Sequence, residues 1–215
     1  LVSILVPSYN AAAYLPELCS SIRGQTYHQY EVPMLDDGST DSTSAALAPF
    51  LEDDRFNLIT WTTNRGVNAA TSALLARMKG DYWCNPGADD VLLPEFLTQR
   101  VEKLQANPQA IMVHGPCQPI DSAGRNLPEV FQKLPLPPVA SGTRALAMMV
   151  QHNFINTPGL MLRSSATRTI AQYFCCDWRY AQDWYLWILH LATGFDILWD
   201  ERVLHKYRIH SESLS

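Results

Sequence analysis

Met34-Leu-Asp-Asp-Gly-Ser-Thr-Asp41 ends a short apolar run in a pair of carboxylates, and Ala88-Asp-Asp90 does the same about fifty residues later. In a parallel sheet, ligands bind beyond the carboxyl ends of the strands, so two such pairs would converge on one crevice. Adjacent carboxylates repel each other unless a cation or a proton joins them. A divalent metal that carries a phosphorylated ligand meets that need. The two stretches therefore predict an enzyme that acts on a nucleotide or a phosphate ester.

Strand and helix patterns alternate around these two stretches. Apolar runs predict strands over residues 2–6, 31–35, 57–61, 82–85 and 111–114, and helical spacing predicts helices over residues 15–24, 45–51, 66–78 and 94–106. Pro33 is unfavourable within its strand, because proline removes a donor from the ladder. The alternation predicts an α/β fold with a mostly parallel central sheet flanked by helices.

The pattern changes after residue 115. A loop with four prolines is predicted over residues 128–138. Helices are predicted over residues 143–151, 164–174 and 182–192, and strands over residues 196–199 and 203–208. We expect residues 1–115 and 116–215 to form two halves of one domain.

Composition narrows the class of protein. The net charge is −5 and no cluster of Lys and Arg exceeds two adjacent residues, which argues against a nucleic-acid partner. No run of uncharged apolar residues reaches the length of a membrane span, and the opening Leu1–Pro7 is typical of a strand and not of a signal peptide. Five cysteines without a CxxC spacing indicate reduced thiols, so we expect a cytoplasmic protein.

Two later motifs can be interpreted either as structural or as part of a catalytic or binding site. Asp183 begins an apolar helix, where a carboxylate either caps the helix or serves as a general base. Tyr207-Arg-Ile-His210 places an arginine and a histidine on the same side of an extended strand. That pair could contact a diphosphate and its metal, or His210 could be a surface histidine near the C-terminus. Taken singly, each of these motifs leaves the choice open.

Taken in order along the chain, the motifs resemble family 2 inverting glycosyltransferases, which have the nucleotide-sugar-binding GT-A fold. The resemblance covers nearly the whole chain and rests on these motifs: Val2-Ser-Ile-Leu-Val-Pro-Ser-Tyr-Asn10, Asp36-Asp-Gly-Ser-Thr-Asp41, Asn64-Arg-Gly66, Gly80-Asp-Tyr82, Ala88-Asp-Asp90, Gln182-Asp-Trp184 and Tyr207-Arg-Ile-His210. It implies that residues 1–115 bind the nucleotide-sugar donor, and that residues 116–215 bind the acceptor and supply the catalytic base.

The resemblance also assigns roles on the donor side. Pro7, Tyr9 and Asp37 match positions that hold the nucleotide base, usually uracil. Asp89 matches the last carboxylate of the Asp-x-Asp motif, which coordinates a divalent metal, Mn²⁺ or Mg²⁺, on the diphosphate. Gly87 stands where the first carboxylate of that motif is usual.

The remaining assignments concern the second half of the chain. Asp183 matches the catalytic base, His210 matches a histidine that completes the metal site in some members, and Arg208 is expected near the phosphates. Gln182 stands where a Glu is usual before the base, which removes one negative charge.

The implied activity is transfer of a sugar, with inversion, from a nucleoside-diphosphate donor to a hydroxyl of a glycan or of a lipid-linked saccharide. A UDP-sugar is the expected donor, polysaccharide biosynthesis the expected setting, and peripheral association with the inner face of the membrane is left open, as is the oligomeric state. Two alternatives stand beside it. Gly87 and Gln182 would suit a catalytically silent domain that binds nucleotide or glycan. A sugar-phosphate nucleotidyltransferase would share the sheet and the metal, but it should have a glycine-rich loop where Pro7-Ser-Tyr-Asn10 stands.

Overall fold

The computed structural model describes residues 1–128, 137–170 and 182–211. The strands are β1 Val2–Ile4, β2 Val6–Ser8, β3 Tyr30–Asp36, β4 Phe56–Thr60, β5 Tyr82–Cys84, β6 Val91–Leu92, β7 Ala110–His114, β8 Gln118–Ile120, β9 Val139–Ala140, β10 Met161–Arg163, β11 Asp196–Trp199 and β12 His205–Arg208. The helices are α1 Leu15–Arg23, α2 Thr43–Leu47, α3 Val67–Leu75, α4 Phe96–Ala106, α5 Gly142–Met149, α6 Ser164–Ile170 and α7 Gln182–Leu191. Short 3₁₀ turns cover Ala48–Phe50 and Thr157–Gly159.

Most of the predicted loop over residues 128–138, and the last four residues of the helix predicted over 164–174, lie outside the described residues. Among the helices that the structure describes, none combines the length and the apolar character that crossing a bilayer requires.

A large mixed sheet forms the centre of the molecule. Its strands follow the order β2-β3-β1-β5-β10-β7-β11-β9, and β4 pairs with β3. The pairs β1–β3, β1–β5, β2–β3, β3–β4 and β7–β11 are parallel, whereas β10 and β9 are antiparallel to their neighbours. Every residue of β7 is buried, as expected of a strand that helices cover on both faces. The predicted α/β fold with a mostly parallel sheet is confirmed.

Strands from both halves of the sequence share this sheet. β10 lies between β5 and β7, and β11 pairs with β7, so residues after 116 complete the sheet that residues 1–115 begin. The assignment of donor and acceptor roles to the two halves remains a prediction.

The first predicted strand is divided in two. Leu5 separates β1 from β2, and its N–H donates to the Cys84 carbonyl at 2.9 Å. β1 pairs with β3 as far as Glu31, and β2 begins its pairing at Met34. Pro33 therefore lies opposite the interruption, where the missing proline N–H removes no hydrogen bond from the ladder.

A second, three-stranded sheet brings the end of the chain back to the first half. β12 lies between β6, to which it is antiparallel, and β8, to which it is parallel. β6 and β8 have two and three residues, too few for a periodic pattern, and the sequence did not predict them. Because β6 follows directly on Asp90, this sheet places the residues after β12 beside the second acidic stretch.

A buried chain of hydrogen bonds fixes α7 to the central sheet. Trp83 Nε1 donates to Thr167 Oγ1 at 2.7 Å, and the Thr167 hydroxyl lies 2.9 Å from His190 Nε2. His190 Nδ1 lies 2.8 Å from the Leu186 carbonyl, so Nδ1 carries the proton and Nε2 accepts. Burial lowers the pKa of His190 to about 4. Through these contacts β5, α6 and α7 form one unit.

Candidate functional site

The first acidic stretch forms a turn at the carboxyl end of β3. Asp36 accepts from Ser39 N at 2.9 Å and from Ser44 Oγ at 2.8 Å. Asp37 accepts from the backbone N–H groups of Arg65 and Gly66, at 2.7 and 2.8 Å. Both carboxylates are buried. Asp37 therefore fixes the loop after β4 against the turn after β3.

Gly38 allows these two loops to approach each other. Its φ is +73°, and a Cβ at this position would lie 2.7 Å from the Thr63 carbonyl carbon. Both the backbone conformation and the close approach exclude a side chain here. The glycine of the acidic stretch is thus required by packing between loops.

The other residues predicted to hold the base lie at the end of β2. Pro7 is within β2, and Tyr9 follows it with 46% of its surface exposed. Asn10 has a positive φ of 48° and accepts from Thr40 N at 2.8 Å, while its own N–H donates to Ser39 Oγ at 2.9 Å. Pro7 in β2 thus lies close in sequence to Tyr9, and Tyr9 and Asp37 lie in adjoining loops at the carboxyl ends of β2 and β3, with the Tyr9 ring open to solvent. Their contact with a base remains a prediction.

The second acidic stretch forms a turn after β5, residues 87–90, which we call the Asp89 turn. A Cβ at Gly87 would lie 2.7 Å from both Asp89 Oδ1 and Asp90 Oδ2. The space left by the missing side chain at Gly87 is thus bounded by two carboxylate oxygens from the same turn. Because β1 pairs with both β3 and β5, this turn and the Asp36–Asp37 turn emerge at the same edge of the sheet.

The residues after β12 complete the Asp89 turn. His210 Nε2 lies 2.9 Å from Asp89 Oδ2, and the His210 ring packs on Tyr14 with centroids 4.9 Å apart. Asp89 and His210, which are 121 positions apart in the sequence, are therefore in direct contact. The sequence predicted roles for Asp89 and His210, whereas Tyr14-Leu15 only contributed to the family resemblance and Tyr14 was given no role.

Asp90 is the buried member of the acidic pair. It is 1% exposed, and Oδ1 accepts from Arg208 N at 2.8 Å. Within the described residues, Asp90 Oδ2 has no hydrogen-bond partner. Burial, and secondarily the charge of Asp89, raises the pKa of Asp90 to about 7.

Arg208 lies behind the Asp89 turn with its side chain buried. Its Nε donates to the Asp89 carbonyl at 2.7 Å, and one terminal nitrogen donates to Glu17 at 2.6 Å. The other terminal nitrogen donates to the carbonyls of Asp121 and Ser122, at 3.1 and 3.3 Å. The guanidinium is thus engaged on protein oxygens, and the predicted contact with phosphates remains a prediction.

Asp183 lies at the amino end of α7 with its side chain exposed. Its Oδ1 accepts from Trp184 N at 2.7 Å, and its negative charge lies in the first turn, where the helix dipole favours it. Its Oδ2 accepts from Thr157 Oγ1 at 3.2 Å and from Asn153 Nδ2 at 3.3 Å. The capping interpretation and the general-base interpretation are compatible, because the carboxylate stays open to solvent. Thr157 begins a 3₁₀ turn and Asn153 lies in the loop before it, and the sequence predicted no role for either residue.

The donor atoms at the Asp89 turn fit a divalent cation such as Mg²⁺ or Mn²⁺. They comprise carboxylate oxygens and one imidazole nitrogen, and Asp90 Oδ2 is a buried oxygen without a partner in the described structure. Within residues 1–128, 137–170 and 182–211, no group of three or more His, Cys, Asp or Glu side chains is arranged as a ready ligand set. Asp89 and His210 would hold such an ion, with the remaining ligands supplied by phosphate and water.

Comparison of the sequence with known proteins finds a family model and relatives that are described as glycosyltransferases. The model of the family described as "Glycosyl transferase family 2" matches residues 3–166. An uncharacterized glycosyltransferase of Haemophilus influenzae is 28% identical over 224 residues, covering 100% of this chain and 67% of that protein. The chain spans 34–74% of the length of four curated relatives that it matches.

Solved structures share the fold at lower identity. S. aureus TarS 1–349 in complex with UDP-GlcNAc has a TM-score of 0.82 and 18% identity, over 99% of this chain and 59% of that one. Mannosyltransferase PcManGT from Pyrobaculum calidifontis, in complex with GDP-Man and Mn²⁺, has a TM-score of 0.73 and 18% identity, over 99% of this chain and 58% of that one. These similarities confirm the predicted GT-A fold.

Proposed function

The chain belongs to glycosyl transferase family 2, and from that premise we propose that it transfers a sugar, with inversion, from a UDP-sugar to an acceptor hydroxyl of a glycan or lipid-linked saccharide. The observation that carries the proposal is the contact between Asp89 and His210 at 2.9 Å, at the carboxyl ends of the parallel strands. TarS and PcManGT were solved with nucleotide-sugars, which supports a donor of this class. Polysaccharide biosynthesis and peripheral membrane association belong to the proposal as its expected setting.

Donor binding is assigned to the loops at the carboxyl edge of the sheet. Tyr9 offers an exposed ring for a base, and Asp37 holds the neighbouring loop in position through two backbone N–H groups. Asp89 and His210 would hold the divalent metal, which supplies positive charge to the diphosphate as negative charge develops on it. Such a contact is typically worth ~3 kcal/mol in the transition state.

Asp183 is assigned as the general base. Its carboxylate takes the proton of the acceptor hydroxyl while the hydroxyl oxygen bonds to the anomeric carbon from the face opposite the diphosphate. The bond from the anomeric carbon to the diphosphate oxygen breaks, its electron pair leaves with UDP, and the configuration inverts. Hydrogen bonds from Thr157 and Asn153 fix the direction in which Oδ2 points, and they leave the carboxylate exposed to an incoming hydroxyl.

The silent-domain alternative rests on Gly87 and Gln182. Two carboxylate oxygens of the same turn surround the position where a Gly87 side chain would lie, so the turn keeps two carboxylates without the first one of the motif. This arrangement favours a working donor site over a silent one.

The test begins with calorimetric titration of UDP, GDP, CDP and ADP into the protein, with and without Mn²⁺. Asp89→Ala is the test variant, and Asp81→Ala is the matched control, because Asp81 is an exposed carboxylate at the amino end of β5. We expect Mn²⁺-dependent UDP binding that Asp89→Ala loses and Asp81→Ala keeps. UDP release from a panel of UDP-sugars with glycan acceptors then measures transfer. Nucleotide binding without turnover would support the silent domain, and pyrophosphate release from a nucleoside triphosphate would support a nucleotidyltransferase.

A further inference from the structure

We propose that Arg208 is a positioning residue, which clamps the Asp89 turn to α1 and to β12 and so sets the geometry of the Asp89–His210 pair, instead of contacting donor phosphates itself. The inference rests on the proposed function in one respect, namely that this pair binds the metal of a nucleotide-sugar complex. The clamp itself follows from contacts among described residues.

The Arg208 side chain is almost fully engaged in hydrogen bonds to the protein. A guanidinium has five N–H donors in a fixed planar fork. Four of them are used: Nε on the Asp89 carbonyl, one terminal nitrogen on the carbonyls of Asp121 and Ser122, and the other on Glu17. With the side chain 1% exposed, little of the group remains for an incoming phosphate.

These hydrogen bonds connect the Asp89 turn to β12 and to α1. The side chain of Arg208 holds the backbone of the Asp89 turn, while its own backbone N–H donates to Asp90 Oδ1 at 2.8 Å. Two successive residues of the turn are therefore fixed by one residue of β12. Glu17, 191 positions earlier in the chain, holds the far end of the guanidinium at 2.6 Å. The turn, β12 and α1 meet at this one side chain.

The clamp also reaches the His210 ring through Tyr14. The Arg208 guanidinium carbon lies 5.0 Å from the centroid of the Tyr14 ring, and the His210 ring packs on the same ring at 4.9 Å. The Tyr14 ring thus contacts both the Arg208 guanidinium and the imidazole of His210, which in turn contacts Asp89. Residues behind a metal ligand commonly change metal affinity by about 10–100-fold when they are replaced, because they orient the ligand.

Arg208→Lys is the decisive variant, because lysine keeps the positive charge but cannot reproduce the planar fork. Arg163→Lys is its matched control. Arg163 also donates to several carbonyls, those of Ala110, Leu104 and Asn107, and its guanidinium carbon lies 5.4 Å from the Tyr82 ring centroid. It lies at the amino ends of β5 and β7, at the opposite edge of the sheet from the Asp89 turn.

Two measurements are made on each variant. Mn²⁺ affinity in the presence of UDP is measured by electron paramagnetic resonance of the free ion, and backbone hydrogen exchange is measured over residues 87–92. In Arg208→Lys we expect Mn²⁺ affinity to fall by about 10–100-fold and exchange over residues 87–92 to accelerate, with both unchanged in Arg163→Lys. If Arg208→Lys does not fold, Glu17→Ala serves in its place, since the Glu17 side chain is 54% exposed and alanine has no oxygen to accept from the guanidinium, which removes one arm of the clamp.

The outcomes separate the clamp from its rivals. Wild-type Mn²⁺ affinity and wild-type exchange in Arg208→Lys would overturn the clamp. UDP affinity that falls equally with and without Mn²⁺, with exchange unchanged, would make Arg208 a phosphate ligand and also overturn it. Failure of the wild-type protein to bind UDP with Mn²⁺ would contradict the proposed function, and the exchange measurement would still decide for or against the clamp.

Discussion

The Asp89 turn and the amino end of α7 carry the two carboxylates on which the proposed reaction depends, and they are built in opposite ways. The Asp89 turn is packed against α1 and β12 and is held by a buried arginine. Asp183 is exposed and, apart from the N–H of the next residue, has two side-chain donors, both beyond 3.1 Å. A site for a highly charged diphosphate requires fixed charges, whereas a proton acceptor must face the space that the acceptor hydroxyl enters.

The largest effect on sugar transfer is expected from a substitution at Asp183. Asp183→Asn removes the proton acceptor but keeps the size of the side chain, and we expect transfer to fall by about 10²- to 10⁴-fold, the range typical of general bases. Mn²⁺-dependent UDP affinity should stay within about twofold of wild type, because the donor loops are untouched. Transfer rate and calorimetry measure the two quantities. Asp54→Asn, at an exposed carboxylate before β4, is the control. Equal loss of donor binding in Asp183→Asn would indicate a structural role for Asp183.

The opposite pattern is expected at the Asp89 turn. Asp89→Asn should weaken Mn²⁺-dependent UDP binding by about 10²-fold, which corresponds to the ~3 kcal/mol of one strong electrostatic contact. Binding of UDP without Mn²⁺ should change little, since the base loops stay intact. Calorimetry with and without the ion measures both. Unchanged Mn²⁺ dependence in this variant would remove Asp89 from the proposed metal site.

The anchoring of α7 can be tested through pH. His190 has a pKa of about 4 in the folded protein because it is buried, and an unfolded histidine has one near 6.5. The unfolded chain therefore binds more protons between these values, and the free energy of unfolding falls as the pH is lowered from 6.5 towards 4. Between pH 6.5 and 5, His190 should contribute a loss of about 2 kcal/mol, at ~1.4 kcal/mol per pH unit.

Replacing His190 isolates this contribution. In His190→Phe the loss between pH 6.5 and 5 should be about 2 kcal/mol smaller than in wild type, as measured by urea unfolding at both pH values. The raised pKa of Asp90 acts in the opposite direction, but it is common to both proteins and cancels in the difference. Val150→Ala, at an exposed residue without an ionisable group, is the control and should leave the loss as in wild type. An unchanged loss in His190→Phe would show that this histidine does not titrate on unfolding in this range.

The smallest effect is expected in the loop beside Asp183. Thr157→Val keeps the shape but loses the hydroxyl that donates to Asp183 Oδ2, and kcat should fall about tenfold, which corresponds to ~1.4 kcal/mol for a hydrogen bond to a charged group. Thr157→Ser keeps the hydroxyl and should retain most of the wild-type kcat. The dissociation constant of UDP should be the same in all three proteins. A kcat of Thr157→Val equal to that of Thr157→Ser would show that the hydroxyl does not orient the carboxylate.

Sequence reasoning worked well for long periodic elements and poorly for short ones. The helix predicted over residues 94–106 appears as Phe96–Ala106, and the strand over 111–114 as Ala110–His114, because apolar periodicity reports burial directly. β6 and β8, with two and three residues, are too short to show an alternation of apolar and polar residues. The strand predicted over residues 2–6 is two strands, because its pairing with β3 stops at Glu31 and resumes at Met34, which no local pattern reveals.

The spacing of apolar residues predicted the fold class correctly, and the carboxylate pairs that follow apolar runs provided candidate site residues. Strand periods, helix periods and carboxylate pairs are local patterns. They can therefore be recognised without knowing how the elements pack together. Tertiary structure alone decided which of these residues meet. The contact of Asp89 with His210, the capture of Arg208 by Glu17 and the support of Asp183 by Thr157 join segments between 26 and 191 positions apart. Such contacts depend on how distant strands, helices and turns pack together, and the spacing of residues along the chain does not report that packing directly.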